Sequence, residues 1–356
     1  MAIKTIRDIG RTLSERRDLK ASHGIIIYLI EKYLESLGLI KDKDFRIEEM
    51  FDTVSFSHKT NPFIGDWLLK DGIVPVSVNS WNTFMRMKEH ASRMVYFLQG
   101  ETEKQVDEIL DSGVSMVVAD NWNDLSLVEG SDALVFLRVK AREHTVYTGK
   151  HFVYGFSRDE AEKAASRLGK YGIHFHRKTQ NLSEWYLVED FSDLSDLIAG
   201  AEIMNIGGGL PAEYKTSKPD YSSIFKQIRD FREWVNSLGT KLMAEPGRHI
   251  AAPAVRLEAF VKNVYGRTAV LDCSIFNAYM DTFLYHLKLL VEGEKEEGHE
   301  YLLKGCTPDS LDIFRYSVKF PRKLKRGDRI VFLNAGAYNF HTEFNELERI
   351  PHVWVD

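Results

Sequence analysis

The chain has 356 residues, of which 44% are hydrophobic and 28% are charged, and its formal net charge is −5 at pH 7. This composition excludes a disordered chain and predicts a soluble protein long enough for two domains. Acidic and basic residues are interspersed, which argues against nucleic acid as a partner. No apolar run is long enough to cross a bilayer, so we expect no membrane partner.

The N-terminal residues 1–20 include basic side chains but lack the apolar centre of a signal peptide. The chain has two cysteines, Cys273 and Cys306, which are too few for a disulfide framework. These features predict a cytoplasmic protein.

Eight short, β-rich apolar runs alternate with helical patterns in the first two thirds of the chain. The runs lie at residues 52–59, 74–78, 94–100, 116–121, 133–140, 172–177, 203–209 and 241–247. Segments between them, such as 102–113 and 157–172, have apolar residues three and four apart and end in glycine, as many helices do. This alternation is typical of a (β/α)8 barrel, and a doubly wound open sheet is the competing fold.

After residue 252 the strand-like runs follow one another without helices between them, and charged turns join them. This pattern predicts an antiparallel β domain. We therefore predict an α/β fold that combines a TIM-like (β/α)8 barrel, residues 24–252, with a C-terminal antiparallel β domain, residues 253–356. The N-terminal segment, residues 1–23, is expected to associate with the β domain.

Residues with useful chemical groups collect where the barrel strands end, which is where barrel enzymes place their active sites. They are Lys59, His176, the glycines at 207–209, Glu245 and Arg248. Each alone has an ordinary structural explanation, as a solvated strand end, a packing residue or a turn. Together they supply an amine, an imidazole, a phosphate cradle, a carboxylate and a guanidinium, which could hold a phosphorylated aldehyde cofactor as a Schiff base.

Five motifs in register resemble those of the fold-type III pyridoxal-phosphate enzymes. These are the ornithine, diaminopimelate and carboxynorspermidine decarboxylases, whose barrel is similar to that of alanine racemase. "SFSHKTNP" resembles the family's Tyr-Ala-x-Lys-Ala-Asn, "GIHFHRKTQ" resembles Gly-x-His-x-His-x-Gly-Ser-Gln, and "NIGGGLP" resembles Asp-Ile-Gly-Gly-Gly-Phe-Pro. "AEPGR" and "NAGAYNF" are similar to two later motifs, and the resemblance runs from about residue 24 to the end.

The resemblance implies pyridoxal 5'-phosphate as the cofactor and assigns roles in the barrel. It implies that Lys59 is the Schiff-base lysine and that His176 stacks on the pyridine ring. Thr179 falls on the serine that faces the phosphate. The three glycines, Gly207, Gly208 and Gly209, fall on the phosphate cradle.

The two later motifs complete the implied cofactor site. Glu245 falls on the glutamate that pairs with the ring nitrogen, and Gly247 follows it in the same motif. Arg248 and Tyr338 fall on residues near the phosphate. A carboxylate at the ring nitrogen keeps it protonated and makes the ring a strong electron sink, which suits decarboxylation. In the related racemases this position resembles an arginine, so Glu245 favours a decarboxylase.

The segment "GCTPDSLD", residues 305–312, departs from the family pattern. In the decarboxylases a second subunit supplies a loop that resembles Gly-Pro-x-Cys-Asp/Glu-Ser/Gly-x-Asp, whose cysteine returns a proton to Cα. Here Asp309 keeps the substrate-contacting position, whereas Pro308 stands where the proton donor is expected. Three explanations remain open: a rebuilt loop brings Cys306 to Cα, another group such as Lys59, His176 or water returns the proton, or Cys306 is a packed thiol.

The resemblance implies a homodimer with shared active sites that removes the α-carboxylate of an amino acid or an amino-acid conjugate. A polyamine, lysine, siderophore or peptide-antibiotic type pathway would supply such a substrate. A pyridoxal-phosphate racemase and a catalytically silent regulatory relative are the alternatives within the family. Outside it, His174 and His176 alternate to one face and could ligate a metal in a barrel hydrolase, but no third ligand is nearby and we predict no metal.

Overall fold

The computed structural model describes residues 24–29, 47–72, 74–140, 154–339 and 341–355. The chain divides into two compact units. The barrel unit holds Phe45–Pro211 and Asp220–Gly247, and the sheet unit holds the described part of Met1–Asp44, together with Ala212–Pro219 and Arg248–Asp356. The predicted N-terminal segment, residues 1–23, lies outside the described residues.

The strands of the barrel unit form one parallel sheet. They are β2 (Thr53–Val54), β3 (Phe56–Ser57), β4 (Val76–Val78), β5 (Met94–Phe97), β6 (Met116–Ala119), β7 (Leu134–Arg138), β8 (Tyr171–His174), β9 (Ile203–Asn205) and β10 (Lys241–Ala244). β2 and β3 are one chain segment interrupted at Ser55. Because β2 pairs with β10 while β3 pairs with β4, this segment closes the sheet into a barrel. The predicted barrel, with strands near all eight predicted runs, is therefore confirmed.

Buried apolar side chains fill the barrel interior. Val95, Val118, Phe136 and Met243 form one cluster and are almost fully buried. They come from strands β5, β6, β7 and β10, and β5 and β10 are not neighbours in the sheet. The cluster therefore joins strands across the barrel and holds the strand ends at fixed positions.

Helices connect the barrel strands. They are α1 (Ile47–Met50), α2 (Pro62–Asp71), α3 (Trp81–Arg86), α4 (Glu103–Asp111), α5 (Trp122–Val128), α6 (Arg158–Ala165), α7 (Leu187–Phe191), α8 (Ser195–Ala199) and α9 (Tyr221–Ser237). Turns of 3-10 helix occur at His58–Thr60, Lys88–Arg93 and Ser192–Leu194. Both helices predicted from glycine-terminated patterns, α4 and α6, begin with a capping box in which a Thr or Ser side chain accepts a backbone hydrogen bond.

The sheet unit is built on a second, mostly antiparallel sheet. Its strands are β1 (Ile25–Leu29), β11 (Val255–Tyr265), β12 (Thr268–Leu271), β13 (Leu290–Val291), β14 (His299–Lys304), β15 (Ile313–Phe320), β16 (Arg329–Leu333) and β17 (His352–Val355). Its helical segments are α10 (Arg248–Ala251), α11 (Ile275–Ala278), α12 (Asp281–Leu284) and the 3-10 turn Phe344–Glu346. The described residues include no helix that is long and apolar enough to span a membrane.

The second sheet differs in two ways from the sequence-based expectation. Two of its strand pairs, β1 with β17 and β12 with β14, are parallel. In addition, β1 lies in this sheet, paired with β11, although the predicted barrel domain begins at residue 24. A single apolar run shows that a strand forms but not which sheet it joins, because pairing partners are distant in sequence.

Candidate functional site

Lys59 lies in the 3-10 turn directly after β3 and its side chain is exposed. The neighbouring side chains are fixed. His58 Nε2 lies 2.9 Å from Asp66 Oδ1, and the Asn61 side chain caps α2 by accepting a hydrogen bond from the Ile64 N–H at 3.2 Å. The turn therefore presents a primary amine from a rigid base at the end of the first barrel strand.

Gly247 packs against the same turn. A Cβ at this position would lie 2.1 Å from Thr60 Oγ1 and 3.2 Å from Ser57 Cβ. Because Thr60 is buried, it has little room to move aside. The close approach accounts for glycine in the "EPGR" segment and joins the end of β10 to the turn that carries Lys59.

Glu245 follows β10 as a buried carboxylate. Its Oε1 accepts hydrogen bonds from Ser77 Oγ at 2.9 Å and from Asn205 Nδ2 at 3.1 Å. Ser77 Oγ in turn lies 2.6 Å from Ser55 Oγ. The second oxygen, Oε2, lies 3.6 Å from His174 Nε2, which is longer than a hydrogen bond.

The charge state of this group follows from its neighbours. Burial by itself would raise the pKa of Glu245, but the adjacent His174 ring and the hydrogen bonds from Asn205 and Ser77 outweigh burial and lower it. Burial lowers the pKa of His174, whose ring contacts Phe97 edge to face with centroids 5.1 Å apart. At neutral pH the site therefore holds a buried carboxylate beside a neutral imidazole.

His176 follows β8 and is partly buried. Burial is the main cause that lowers its pKa to about 3, and the positive charge of Lys59 lowers it further. The imidazole is therefore neutral at physiological pH, which suits stacking on an aromatic ring. Thr179 lies three residues later in the same loop and is also partly buried.

Two of the three glycines after β9 have backbone conformations that other residues rarely adopt. Gly207 and Gly209 have φ values of +65° and +114°. A Cβ on Gly207 would lie 2.6 Å from the Phe175 carbonyl oxygen and 3.0 Å from His176 Cβ, and one on Gly208 would lie 3.0 Å from the Glu245 carbonyl oxygen. The glycine segment thus lies against the backbone next to two of the other predicted site residues.

The sheet unit carries the remaining predicted residues, and Arg248 is buried there in an ion pair. Its guanidinium donates two hydrogen bonds to the Asp281 carboxylate, with Nη2 to Oδ1 at 3.1 Å, and a further bond to Tyr214 Oη at 3.1 Å. The guanidinium carbon, Cζ, lies 5.0 Å from the centroid of the Tyr338 ring and 5.9 Å from the centroid of the Tyr285 ring. Burial would lower the pKa of Arg248, but Tyr214 and Asp281 raise it above the ordinary value, so the guanidinium stays charged.

The loop after β14 is organised by the buried Asp312. Asp312 Oδ2 accepts hydrogen bonds from the Thr307 backbone and hydroxyl at 3.0 and 2.7 Å. The Cys306 N–H donates to the Cys273 carbonyl oxygen at 3.0 Å, and burial is the main cause that raises the pKa of the Cys306 thiol. Asp309 Oδ1 accepts from the Leu311 N–H at 2.7 Å, which makes a tight turn at the exposed end of the loop.

The residues of the barrel unit fit pyridoxal 5'-phosphate. Glu245 Oε2 accepts no hydrogen bond of normal length from the described residues, with His174 Nε2 3.6 Å away, so this oxygen can accept from a protonated ring nitrogen. Neutral His176 offers a flat face, and Lys59 offers an exposed amine for the aldehyde. Gly208 and Gly209 keep partial solvent exposure, and Gly207 and Gly209 have positive φ, as expected of a segment whose backbone N–H groups can face a phosphate.

Two features of the site were not found from the sequence. Ser77 occupies the middle of a predicted strand, and only its isolated polarity in the run "VPVSV" could have indicated a role. Asp281 stands in "YMDTFLYH", where an acid among apolar residues indicates a buried partner. Within the described residues, no group of three or more His, Cys, Asp or Glu side chains could hold a metal ion.

Comparison with protein families gives two adjoining matches. Residues 71–252 match the pyridoxal-binding domain of the pyridoxal-dependent decarboxylases, and residues 253–336 match their C-terminal sheet domain. The first match begins after Lys59. It includes His176, Thr179, the glycine segment, Glu245 and Arg248.

Curated relatives include diaminopimelate decarboxylases from bacteria and archaea. The Staphylococcus aureus enzyme is 24% identical over 305 residues, which cover 74% of this chain and 71% of that enzyme. The Methanothermobacter thermautotrophicus enzyme is 27% identical over 322 residues, which cover 80% of this chain and 74% of that enzyme.

Solved structures share the fold at lower identity. The Paramecium bursaria Chlorella virus arginine decarboxylase bound to agmatine has a TM-score of 0.78 at 18% identity, over 97% of this chain and all of that one. The Vibrio vulnificus lysine/ornithine decarboxylase with cadaverine has a TM-score of 0.76 at 18% identity, over all of this chain and 98% of that one. These likenesses support the predicted two-part fold.

Proposed function

Because this chain belongs to the pyridoxal-dependent decarboxylases, it uses pyridoxal 5'-phosphate to decarboxylate an amino acid, and we propose that Lys59 and Glu245 hold the cofactor at opposite ends. Lys59 would bind the aldehyde carbon, and Glu245 would bind the ring nitrogen. The observation that carries this assignment is the buried Glu245 carboxylate, whose Oε2 lacks a hydrogen-bond donor among the described residues.

The bound cofactor supplies an electron sink for the bond between Cα and the carboxylate. Burial would raise the pKa of Glu245, but the His174 ring and the hydrogen bonds from Asn205 and Ser77 lower it, so its carboxylate would stabilise a positive charge on the ring nitrogen and strengthen that sink. Neutral His176 would shield one face of the ring without adding a competing positive charge. An arginine at residue 245 would oppose protonation of the ring nitrogen, so the charge at this position favours decarboxylation over racemisation.

We assign the phosphate to the glycine segment, Thr179, Gly247, Arg248 and Tyr338. The Arg248 guanidinium keeps its positive charge but already donates to Asp281 and Tyr214, so its assignment to the phosphate rests on the family motif. Glycines with positive φ can turn successive backbone N–H groups towards one oxygen. Fixing the phosphate would hold the ring in place while Cα reacts.

The proposed enzyme is a cytoplasmic homodimer whose loops after β14 complete the partner's site. The exposed end of that loop supports this proposal, because Pro308 and Ser310 are exposed and Leu311 presents an apolar side chain that is 55% exposed. Asp309 would contact the substrate from this loop. Cys306 keeps its proton at neutral pH, so it remains a candidate to return a proton to Cα.

The proposed substrate is an α-amino acid with a polar or charged distal end, or a conjugate of one. The curated relatives are named for diaminopimelate, and two structural neighbours hold agmatine or cadaverine. Asp281 is an acid of the sheet unit that is already bound to Arg248, so it is not free to pair with a distal ammonium group. Asp281 therefore gives no support for a simple diamino acid as the substrate.

Reconstitution of the purified protein with pyridoxal 5'-phosphate tests the function. We expect a yellow protein that releases CO2 from at least one member of a panel with diaminopimelate, lysine, ornithine, arginine and conjugated amino acids. Lys59→Ala should abolish both the colour and CO2 release, whereas Lys70→Ala, at an exposed lysine on α2, should abolish neither. A wild-type protein that takes up no cofactor would refute the proposal, and a racemic product without CO2 would favour the racemase.

A mixing experiment tests the shared site. Lys59→Ala and Asp309→Ala subunits are each expected to be inactive as homodimers. If each site uses both chains, random exchange gives mixed dimers with one intact site and restores about a quarter of the activity. No recovery after verified subunit exchange would show that Asp309 does not act across a dimer.

A further inference from the structure

The amide of Asn205 links the two parts of the site that would hold the ring nitrogen and the phosphate of the cofactor. Asn205 is fully buried at the end of β9. Its Oδ1 accepts a hydrogen bond from the Gly207 N–H at 2.8 Å, while its Nδ2 donates to Glu245 Oε1 at 3.1 Å. Only this amide orientation satisfies both neighbours. In the reverse orientation the Asn205 NH2 group would face the Gly207 N–H, and the Asn205 carbonyl oxygen would face Glu245 Oε1.

A second link runs between the same two segments through the backbone. The Glu245 N–H donates to the Gly207 carbonyl oxygen at 2.8 Å. The side chain and the backbone of Glu245 are therefore both fixed relative to the first residue of the glycine segment. A shift of one segment would break contacts made by the other.

The hydroxyl groups of Ser55 and Ser77 form a directed chain to the same carboxylate oxygen. A hydroxyl has one proton to donate, and Ser77 gives its proton to Glu245 Oε1. In the 2.6 Å contact between the two hydroxyls, Ser55 must therefore be the donor and Ser77 the acceptor. A donor that also accepts is polarised, which strengthens the bond to Glu245.

These donors act on one oxygen only. Oε1 accepts from Ser77 and Asn205, whereas Oε2 accepts no hydrogen bond from the part of the chain that the structure describes. The His174 ring nitrogens also lack a hydrogen-bond partner there, and Nε2 lies 3.6 Å from Oε2. The carboxylate is thus held by one oxygen with the other left available.

We propose that Asn205 is a positioning residue that, with the Ser55–Ser77 pair, fixes Glu245 through Oε1 and couples it to the glycine segment. This rests on the proposed function for the identity of the ligand at Oε2. The role requires an amide at residue 205. A carboxylate there could still accept from the Gly207 N–H, but it could not donate to Glu245 and would place a second negative charge beside it.

The resembling family motif has aspartate at this position, so Asn205→Asp restores the family residue and yet should harm this chain. In the protein without cofactor, we expect the apparent proton affinity of Glu245 to rise at least about tenfold, because two adjacent carboxylates favour sharing a proton. The measurement is a pH titration of the side-chain carboxyl carbon by NMR with 13C-labelled glutamate, assigned by loss of the signal in Glu245→Gln.

A matched control and a milder variant isolate the effect. Asn181→Asp changes another buried asparagine of the barrel unit, whose side chain contacts the Glu184 backbone, and should leave the Glu245 titration unchanged. Ser77→Ala removes one donor without adding charge and should shift the titration in the same direction by about threefold or more. If Asn205→Asp does not fold, the Glu245 titration in Ser77→Ala alone tests whether the donors at Oε1 lower the proton affinity of Glu245.

Binding of pyridoxal 5'-phosphate to the apoenzyme provides the second readout. The dissociation constant should rise at least about tenfold in Asn205→Asp and not in Asn181→Asp. Unchanged Glu245 titrations in both Asn205→Asp and Ser77→Ala would overturn the inference even if the wild type binds cofactor normally. A shifted titration in a protein that binds no cofactor would support the positioning role and refute the proposed function.

Discussion

The buried pair of Arg248 and Asp281 should contribute strongly to the stability of the sheet unit. Asp281 has no solvent exposure and Arg248 is 3% exposed, so neither charge can return to water without unfolding. Asp281→Asn keeps the shape and one acceptor but leaves the guanidinium without a counter-charge. Removing one partner of a buried pair costs about 3–5 kcal/mol, and we expect a loss of unfolding free energy in this range.

Urea unfolding of the apoprotein, followed by circular dichroism, measures this loss. Tyr214→Phe removes the hydroxyl that accepts from Arg248 without removing either charge, so it should cost less, about 1.5 kcal/mol. Arg267→Gln, at an arginine whose side chain is 70% exposed in the same unit, should have no measurable effect.

A double-mutant cycle gives the decisive comparison. Arg248→Met combined with Asp281→Asn removes both charges, so the double variant should lose much less stability than the sum of the two single losses. Additive losses, or a loss below about 1 kcal/mol for Asp281→Asn, would refute the view that the two charges stabilise each other.

Three further predictions concern single residues. Gly247→Ala should lower the unfolding free energy by about 1–3 kcal/mol and weaken cofactor binding, because the new Cβ would lie 2.1 Å from Thr60 Oγ1. Adding Thr60→Ala to the same chain should recover part of this loss. A Gly247→Ala protein as stable as the wild type would contradict the packing argument. The Cys306 thiol should react with iodoacetamide more slowly at pH 7.5 than a cysteine in a peptide, because its raised pKa leaves little thiolate, and a faster reaction would contradict this. His176 has a pKa of about 3 in the fold against an ordinary 6.5, so its stabilising effect is complete above pH 6.5 and is lost as the pH falls towards 3. Between pH 7.5 and pH 5.5 the unfolding free energy measured in urea should fall by about 1.4 kcal/mol because of this ring. The fall should be smaller in His176→Asn but unchanged in His299→Asn, which alters an exposed histidine. Equal pH dependence in all three proteins would show that the His176 ring is not held neutral.

Much of the fold could be predicted because each barrel strand has a local signature. Alternating apolar runs and glycine-terminated helical patterns are properties of neighbouring residues, and they gave the eight-stranded barrel and the separate sheet domain. The family matches confirm the expected cofactor and decarboxylase activity, and nothing in them supports the racemase or the silent relative. The assignments of individual site residues, the domain limits and the dimer remain predictions.

The contacts that organise the site could not be predicted, because they join residues far apart in sequence. Ser77 and Glu245 are 168 residues apart, and Arg248 and Asp281 are 33 apart. Local patterns show that these residues are polar but not which partner satisfies them. The motif comparison places Asn205 where the family has aspartate, but its contacts with Gly207 and Glu245 depend on the folded structure.

The closure of the barrel at the interrupted strand β2–β3 determines when during synthesis the site can form. The strand that precedes Lys59 pairs with β10, and the Leu242 N–H donates to Asp52 Oδ2 across 190 residues of sequence. A nascent chain that has emerged only as far as β9 contains Lys59 and His176 but lacks both Glu245 and the strand that completes the ring. The cofactor site can therefore be completed only after β10 has emerged, so capture of the cofactor would report that the barrel has closed.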